Sequence, residues 1–575
     1  MRAVPLPVLE DDVIATDLFG GNFLADRYVL GRDGNIEAAV DRLGVSGLRY
    51  PGGSLTERLF DITDPNAPRV EEDDGSVVDF VPLNDFLAYA EAADQSVTIV
   101  LPTRDFLSAR TDGNGDRFPD FDAEALRGFV RDVATGVHGD ARIDAFEIGN
   151  EYWGSGEMTA VEYGRLSSRM TEVIDDELDR LGAETGEPSE IDILVQSGTN
   201  FGFSDLAAGY AGKDAEAVLA DLNARYGTEF GEEVVFPQGA LNWRRINDEL
   251  LQREFDAGEL DAVDGVVTHL YSKDPVQPGQ REFGLDTIQK VWIDDAPHLD
   301  IHVTEWNQSA AEPRFDSDGD YGLRQAHEVL DTFETMVAAG VDQAHVWPLL
   351  QNTRNALQPD GLEGEVSPSG ALFAMMSDAL PGKQMLDFEV RDDDVTEFQG
   401  RTADLHGFYG KGELVFYLAS TSERTETLSL DLGQMVRGGG TVSGQLLGVR
   451  DGDAPGATDA RAEVETLHPG TFYDDGHVAV ALDPGEILEI RIAGFKPTPG
   501  FREVMEGLDT TPDAPPVPPE DIPPMLDPIM PSPDRDEPEA EDTDSDDFDD
   551  DMPDAIAWLL GLLPLLALAG AGLGG

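Results

Sequence analysis

The chain has 575 residues, with 39 Lys or Arg against 115 Asp or Glu, for a formal charge of −76. Such a polyanion repels phosphate and is excluded as a nonspecific nucleic-acid binder, while 40% hydrophobic content supplies a sizeable core and excludes wholesale disorder. Cys is absent, which removes disulfides, thiolate metal sites and cysteine nucleophiles together.

Only 6 of the basic residues are Lys. Excess acid with little Lys suits a surface solvated at high ionic strength, where salt confines self-repulsion to roughly a few Å. This predicts a marine or halophilic protein, secreted or at the cell surface. Met1 to Pro7 shows no cationic start followed by an apolar run, so no ordinary signal peptide is visible.

Residues 12 to 350 alternate short apolar or β-branched runs with amphipathic stretches. The expected strands are Val13–Phe19, Gly47–Tyr50, Val97–Leu101, Ala145–Ile148, Ile191–Gln196, Gly265–His269, Ile301–Thr304 and Ala344–Trp347. Helical periodicity marks Ile36–Leu43, Leu83–Ala93, Ala123–Val133, Ala160–Leu181 and Gly322–Ala339. Eight strands, each followed by a helix or a long loop, is the count of a closed (β/α)8 TIM barrel. A doubly wound sheet lacks support, because no GxGxxG turn follows the first strand.

From about Leu386 the texture changes to short strands separated by Gly, Asp and Pro: Glu413–Leu418, Glu426–Leu432, Val442–Leu447, His477–Leu482 and Ile487–Ile492. That pattern predicts an antiparallel β-sandwich. Phe495 to Pro533 is Pro-rich, Asp534 to Asp554 carries thirteen acidic residues and one Arg, and Ala555 to Gly575 carries no charge. The expected organisation is a catalytic barrel over 8–384, a sandwich over 385–495, a Pro-rich and acidic disordered linker over 496–554, and an apolar tail over 555–575.

The tail is long enough to cross a ~30 Å hydrocarbon core as a helix, yet Pro564 and several glycines weaken it and no Lys or Arg flanks it. It resembles bacterial C-terminal sorting segments and the ends of type I secretion substrates, which implies contact with a membrane or secretion machinery.

Functional side chains of a barrel project from the carboxyl ends of its strands. Here strand 2 ends in Arg49-Tyr50-Pro51-Gly52-Gly53, strand 4 in Gly149-Asn150-Glu151-Tyr152-Trp153-Gly154, strand 6 in His269-Leu270-Tyr271, strand 7 in Thr304-Glu305-Trp306-Asn307, and strand 8 in Trp347. Carboxyls on strands 4 and 7 face each other across a barrel mouth, as glycosidic cleavage requires. One protonates the leaving oxygen while the other attacks the anomeric carbon or activates water. Glu151 and Glu305 stand among aromatics and amides rather than other acids, which sets them apart in so acidic a chain. Trp153, Trp306 and Trp347 are candidate stacking platforms for sugar rings. Pro51-Gly52-Gly53 supplies backbone geometry for a close approach.

These motifs, with Phe19-Gly20-Gly21-Asn22-Phe23 before them, resemble the clan of retaining glycoside hydrolases that carry catalytic Glu residues on strands 4 and 7. They are most similar to the α-L-arabinofuranosidase family and its xylosidase and uronidase relatives. The resemblance covers about residues 12 to 350 and implies Glu151 as acid/base and Glu305 as nucleophile. It further implies that Asn150 binds the hydroxyl next to the anomeric carbon and that Arg49 and Tyr271 hold Glu305. His269 would line the sugar subsite. Two positions depart from the family. Ala25 stands where a sugar-gripping Glu follows strand 1, and Ser155-Gly156 replace the Trp-Gln after the strand 4 motif.

Asp112-Gly-Asn114-Gly-Asp116, with Asp120 beyond, alternates oxygen ligands as a calcium loop does, though Arg117 occupies the position of the loop's glycine. Asp316-Ser-Asp318-Gly-Asp320 is a shorter version. Any calcium there would be structural, and catalysis by two carboxyls requires no cofactor. The expected substrate is a polysaccharide or oligosaccharide. Two other readings are a non-catalytic carbohydrate-binding or cell-surface protein that kept the barrel, and a metal-assisted hydrolase. Against the last, His269, His302 and His345 show no HxH or HExxH spacing.

Overall fold

The computed structural model describes residues 2–506 apart from 32–33, 274–278, 313, 352, 360–361, 363 and 389–395. Eight parallel strands close into a barrel: β1 (Gly20–Asn22), β2 (Gly47–Tyr50), β3 (Ser96–Leu101), β4 (Ile143–Ile148), β5 (Asp192–Gln196), β6 (Gly265–Ser272), β7 (Asp300–Gln308) and β8 (Gln343–Val346). Strands covered on both faces read as continuous apolar runs, and β3 (SVTIVL) is buried at every position.

The surrounding helices bury one stripe each. In Ala123–Ala134 the buried residues are Leu126, Phe129, Val130 and Val133, and Asp122 caps the first turn by accepting from the amides of Glu124 and Ala125. Ala160–Thr185 begins in a capping box between Thr159 and Glu162.

The first strand is where the structure corrects the sequence reading. Thr16–Phe19, expected as strand, is a 3-10 turn, and β1 is the next three residues, two of them glycine. A Cβ on Gly20 would stand 2.6 Å from the His345 ring, and one on Gly21 would stand 2.7 Å from Leu349. The strand is squeezed between its neighbours and carries no apolar side chains to announce it. Residues 8–13, expected at the start of the barrel, pair instead with Gln384–Asp387 in the sandwich.

That sandwich has two sheets. One runs in the order Val8–Val13, β9 (Gln384–Asp387), β10 (Ala403–Gly410), β11 (Glu413–Ser420), β16 (Ile487–Ala493), β13 (Thr441–Val449), β14 (Ala462–Leu467), with Phe398–Gln399 on β10. The other is Arg2–Ala3, β12 (Glu426–Asp431), β15 (His477–Leu482) and Tyr473–Asp474. One apolar core joins barrel and sandwich, running from Phe373 and Met376 on helix Pro368–Ala379 to Met385, Phe408, Val415 and Tyr417.

The start of the expected disordered linker is ordered. Pro499–Met505 is helical, and Phe501 packs on Tyr409 and Phe495. The remainder of the linker and the apolar tail lie outside the described residues. Among the described residues no helix is long and apolar enough to cross a membrane.

Candidate active site

Arg49, at the carboxyl end of β2, is fully buried and organises the barrel mouth. Its Nε and Nη2 donate to the two carboxylate oxygens of Glu147 at 2.7 and 2.8 Å, and Nη2 also donates to Asn150 Oδ1 at 2.8 Å. Nη1 donates to Asn22 Oδ1 and to Glu305 Oε1, each at 3.0 Å. All five donors of the guanidinium fork are used. Burial disfavours the cation, but Glu147 and then Glu305 outweigh it, so its pKa is raised.

Glu305 is 5% exposed and receives a second hydrogen bond, at 2.9 Å from the Tyr271 hydroxyl to Oε2. Burial, then the Glu305 charge, pushes the Tyr271 pKa well above that of an ordinary phenol, so Tyr271 remains a neutral donor.

Glu151 sits two residues past Gly149, whose φ is +77°. Its own φ is +42°, which costs a non-glycine residue about 1 kcal/mol. Its carbonyl closes the following turn by accepting from Gly154 at 2.7 Å and Gly156 at 3.3 Å. His269 Nδ1 lies 3.2 Å from Glu151 Oε1 and 3.6 Å from Glu305 Oε2. Burial would raise the Glu151 pKa, yet the hydrogen bond and charge of His269, helped by Arg49 and Lys273, hold it below the usual value. For His269 burial works downward, and the carboxylates of Glu305 and Glu151 win, raising its pKa. Single oxygens of Glu151 and Glu305 lie within 4.8 Å of each other, with a His269 nitrogen within the same reach of both.

Four residues missed in the sequence support this set. Glu147 is the buried partner of Arg49; its signal was a carboxyl between Phe146 and Ile148 in the buried part of β4. Asn22 ties β1 to β7 by donating to the Thr304 carbonyl at 2.9 Å. Gln196 donates to the Gly149 carbonyl at 2.7 Å. Glu57, on the short helix after β2, accepts from the amides of Thr103, Arg104 and Asn150 and from the Thr103 hydroxyl. Nothing in the local sequence marks Glu57.

The tryptophans divide. Trp153 is half-buried, with its ring 6.1 Å from that of His269. Trp347 is half-buried against Gly53, where a Cβ would stand 2.7 Å from its ring. Trp306 is 0% exposed and packs near Phe373 on the helix side of β7. Strand alternation puts it opposite Glu305, so it is no sugar platform. His302 and His345 are buried barrel-interior residues whose pKa values burial lowers. Ala25 is buried at the turn after β1, its amide bonded to the Pro51 carbonyl.

The calcium-like loop is the turn of a small hairpin, Leu107–Thr111 with Arg117–Pro119. Asp112 accepts from the amides of Asn114 and Asp116 and pairs with Arg165 at 2.8 Å, while Asn114 donates to the Arg225 carbonyl. Asp116 accepts from Thr159, and Asp120 is exposed. Asp112 thus spends both oxygens on the turn and on Arg165. Among the described residues, the groupings whose ligand atoms could close on one metal ion are Glu151, His269 and Glu305, and separately Asp331, Glu334 and His406.

No protein-family model and no curated protein matches the chain. Solved structures do. An α-L-arabinofuranosidase from Thermotoga maritima, in complex with arabinose, has a TM-score of 0.55 at 13% identity, over 86% of this chain and 98% of that one. A family 51 arabinofuranosidase from Xanthomonas axonopodis pv. citri gives 0.52 at 15%, over 84% and 97%. A family 51 α-L-arabinofuranosidase from Bifidobacterium longum gives 0.52 at 12%, over 86% and 98%. This chain has the fold of the glycoside-hydrolase barrels. In that fold the barrel comes with a β-sandwich, as the sequence texture predicted.

Proposed function

We propose that this protein is a retaining glycoside hydrolase in which Glu305 is the nucleophile and Glu151 the acid/base. The observation that carries the reading is that one carboxylate oxygen of Glu151 comes within 4.8 Å of one of Glu305, short of the gap that an inverting enzyme leaves for a water. Retaining enzymes hold this pair about 5–5.5 Å apart, and inverting enzymes leave about 6.5–9.5 Å for a water.

The environments support the division of roles. Glu305 is held by Arg49 and Tyr271 and is poised as an anion to attack the anomeric carbon. Glu151, with 37% of its side chain exposed, reaches the leaving side and protonates the glycosidic oxygen as that bond breaks. It then takes a proton from the water that attacks the anomeric carbon and frees Glu305. Asn150 has its Oδ1 fixed by Arg49, and its Nδ2, which gives one hydrogen toward Ser155 Oγ at 3.4 Å, has a second to donate to the neighbouring sugar hydroxyl. Two carboxyls suffice for this chemistry, and no cofactor enters it.

The substrate class is a plant or algal glycan or its oligosaccharides. The strong acidity and the carboxy-terminal acidic and apolar segments support action outside the cell. The test is hydrolysis of a panel of aryl glycosides and polysaccharides, with the first-formed anomer read by NMR. Retained configuration is expected, with turnover abolished in Glu305→Ala. Inverted product, or wild-type rates in both Glu305→Ala and Glu151→Gln, would overturn the assignment.

A further inference from the structure

The loop that follows β5 displays two phenylalanines to solvent. Phe201 is 39% exposed and Phe203 is 57% exposed. Among the described residues the only other phenylalanine so placed is Phe283. Exposed aromatic rings on a loose loop would be unremarkable surface, but this loop is tied down. Beneath the tip, the fully buried Asn247 donates to the carbonyls of Thr199 and Ser204, and Ser204 is itself 1% exposed. Asn200 closes the loop by accepting from the amides of Leu206 and Ala207.

The tip is also fastened to the catalytic turn. The Phe203 amide donates to the Trp153 carbonyl at 2.8 Å. Gly202, at φ +55°, presses so close that a Cβ would stand 2.2 Å from that same oxygen. Only glycine allows this approach. Two rigidly held aromatic faces are therefore attached two residues from Glu151.

We propose that Phe201 and Phe203 form a sugar-binding platform on the leaving-group side of the cleaved bond. This rests on Glu151 being the acid, because the group it protonates is the oxygen that departs with the leaving sugar. A platform anchored to the turn of Glu151 lies along the path that sugar takes. Its occupant is a neutral glycan chain, whose pyranose C–H faces stack on aromatic rings. Preorganisation by Asn247 and Trp153 spares the chain the cost of ordering the loop. The substrate is accordingly an oligosaccharide or polymer extending beyond the scissile bond.

Two measurements on the full chain test this with Phe201→Ala, Phe203→Ala and the double variant, whose melting temperatures should match wild type because both rings are exposed. In affinity electrophoresis through gels containing arabinan, arabinoxylan, xylan or xyloglucan, wild type should be retarded by at least one polymer. The double variant should bind that polymer roughly three- to tenfold more weakly. In kinetics, kcat/KM on that polymer should fall by a similar factor while the rate on a glycosyl fluoride, which has no leaving sugar, holds. Equal retardation of wild type and double variant, or no retardation of wild type by any of the four, overturns the platform. So does a double variant whose only change is in oligomeric state, which would make the patch a contact between copies. Loss of retardation without turnover of any substrate would keep the platform and sink the hydrolase reading instead.

Discussion

His269 places its Nδ1 3.2 Å from Glu151 Oε1, so the carboxyl proposed as acid/base and the imidazole share one hydrogen bond and titrate as a pair. In the resting site the proton is favoured on the imidazole, since the His269 pKa is raised and that of Glu151 is lowered. In the proposed mechanism, bond cleavage draws on that proton. It stays on the pair until pH passes the raised histidine value, above the ordinary 6.5, and kcat/KM should fall only beyond that point. In His269→Asn the proton can reside only on the carboxyl, whose pKa burial then raises without the His269 hydrogen bond and charge to lower it. The alkaline limb of the pH profile should therefore move to follow that single group. A limb that stays in place would show that His269 takes no part in holding the proton.

Arg49→Lys tests whether the fork or merely the charge matters. An ammonium has three donors at one point and cannot reach Glu147, Asn22, Asn150 and Glu305 together. We expect kcat to drop on the order of 10²-fold with KM little changed, because Arg49 is fully buried and does not face substrate. Unfolding in denaturant should show a loss of about 3 kcal/mol, the usual cost of disrupting a buried ion pair.

Glu57→Gln keeps shape but trades one carboxylate oxygen for an amide donor. That oxygen now accepts either the Thr103 and Arg104 amides or the Asn150 amide and Thr103 hydroxyl. The variant leaves buried donors facing a donor, at about 1–3 kcal/mol. Activity should fall with stability, since the Asn150 amide is one of the groups released. Thermal melts and kcat measured together check this, and an unchanged kcat would relieve Glu57 of any positioning role.

Asp192 lies at the opposite end of the barrel, close to the charges of Asp264, Asp300 and Asp144. Burial first, and then these neighbours, raise its pKa to about 7 from 3.8. The ionised form is thus disfavoured in the folded state. The penalty is absent below pH 3.8, grows as pH rises toward 7, and is full above it. Asp192→Asn should raise the melting temperature, more at pH 8 than at pH 5, and the gain should shrink in molar salt as the acidic neighbours are screened.

Removing His406 probes the junction of barrel and sandwich. Its Nδ1 lies 2.8 Å from Glu334 Oε2, both side chains being buried. Burial works against the charged ring, but Glu334 and Asp331 raise its pKa to about 10. The stabilisation is complete below pH 6.5 and is lost as pH climbs toward 10. His406→Gln should cost on the order of 3 kcal/mol at pH 6 and less at pH 10, as read by denaturant unfolding at the two values.

Strands β2 to β8 were legible as apolar runs because parallel barrel strands bury both faces. Glu151 and Glu305 were legible because each ends such a run beside Asn and Trp. β1 was not, since its glycines are dictated by His345 and Leu349, some 325 residues away along the chain. Nor was the fate of Trp306, which strand alternation turns toward Phe373 while Glu305 faces the mouth. Glu57 and Gln196 were silent because their partners lie on other strands.

Local residue patterns encode β2 to β8, the change from barrel to sandwich, and which carboxyls stand at strand ends. How those ends meet depends on pairing between distant segments. Along β6 and β7, residues pair in step from Gly265 with Asp300 to Thr268 with Val303; the register then slips by one, so that His269 falls beside Glu305. Register is a property of two strands at once. A single extra residue in one of them moves every later side chain relative to its neighbour, and periodicity within one segment carries no trace of it.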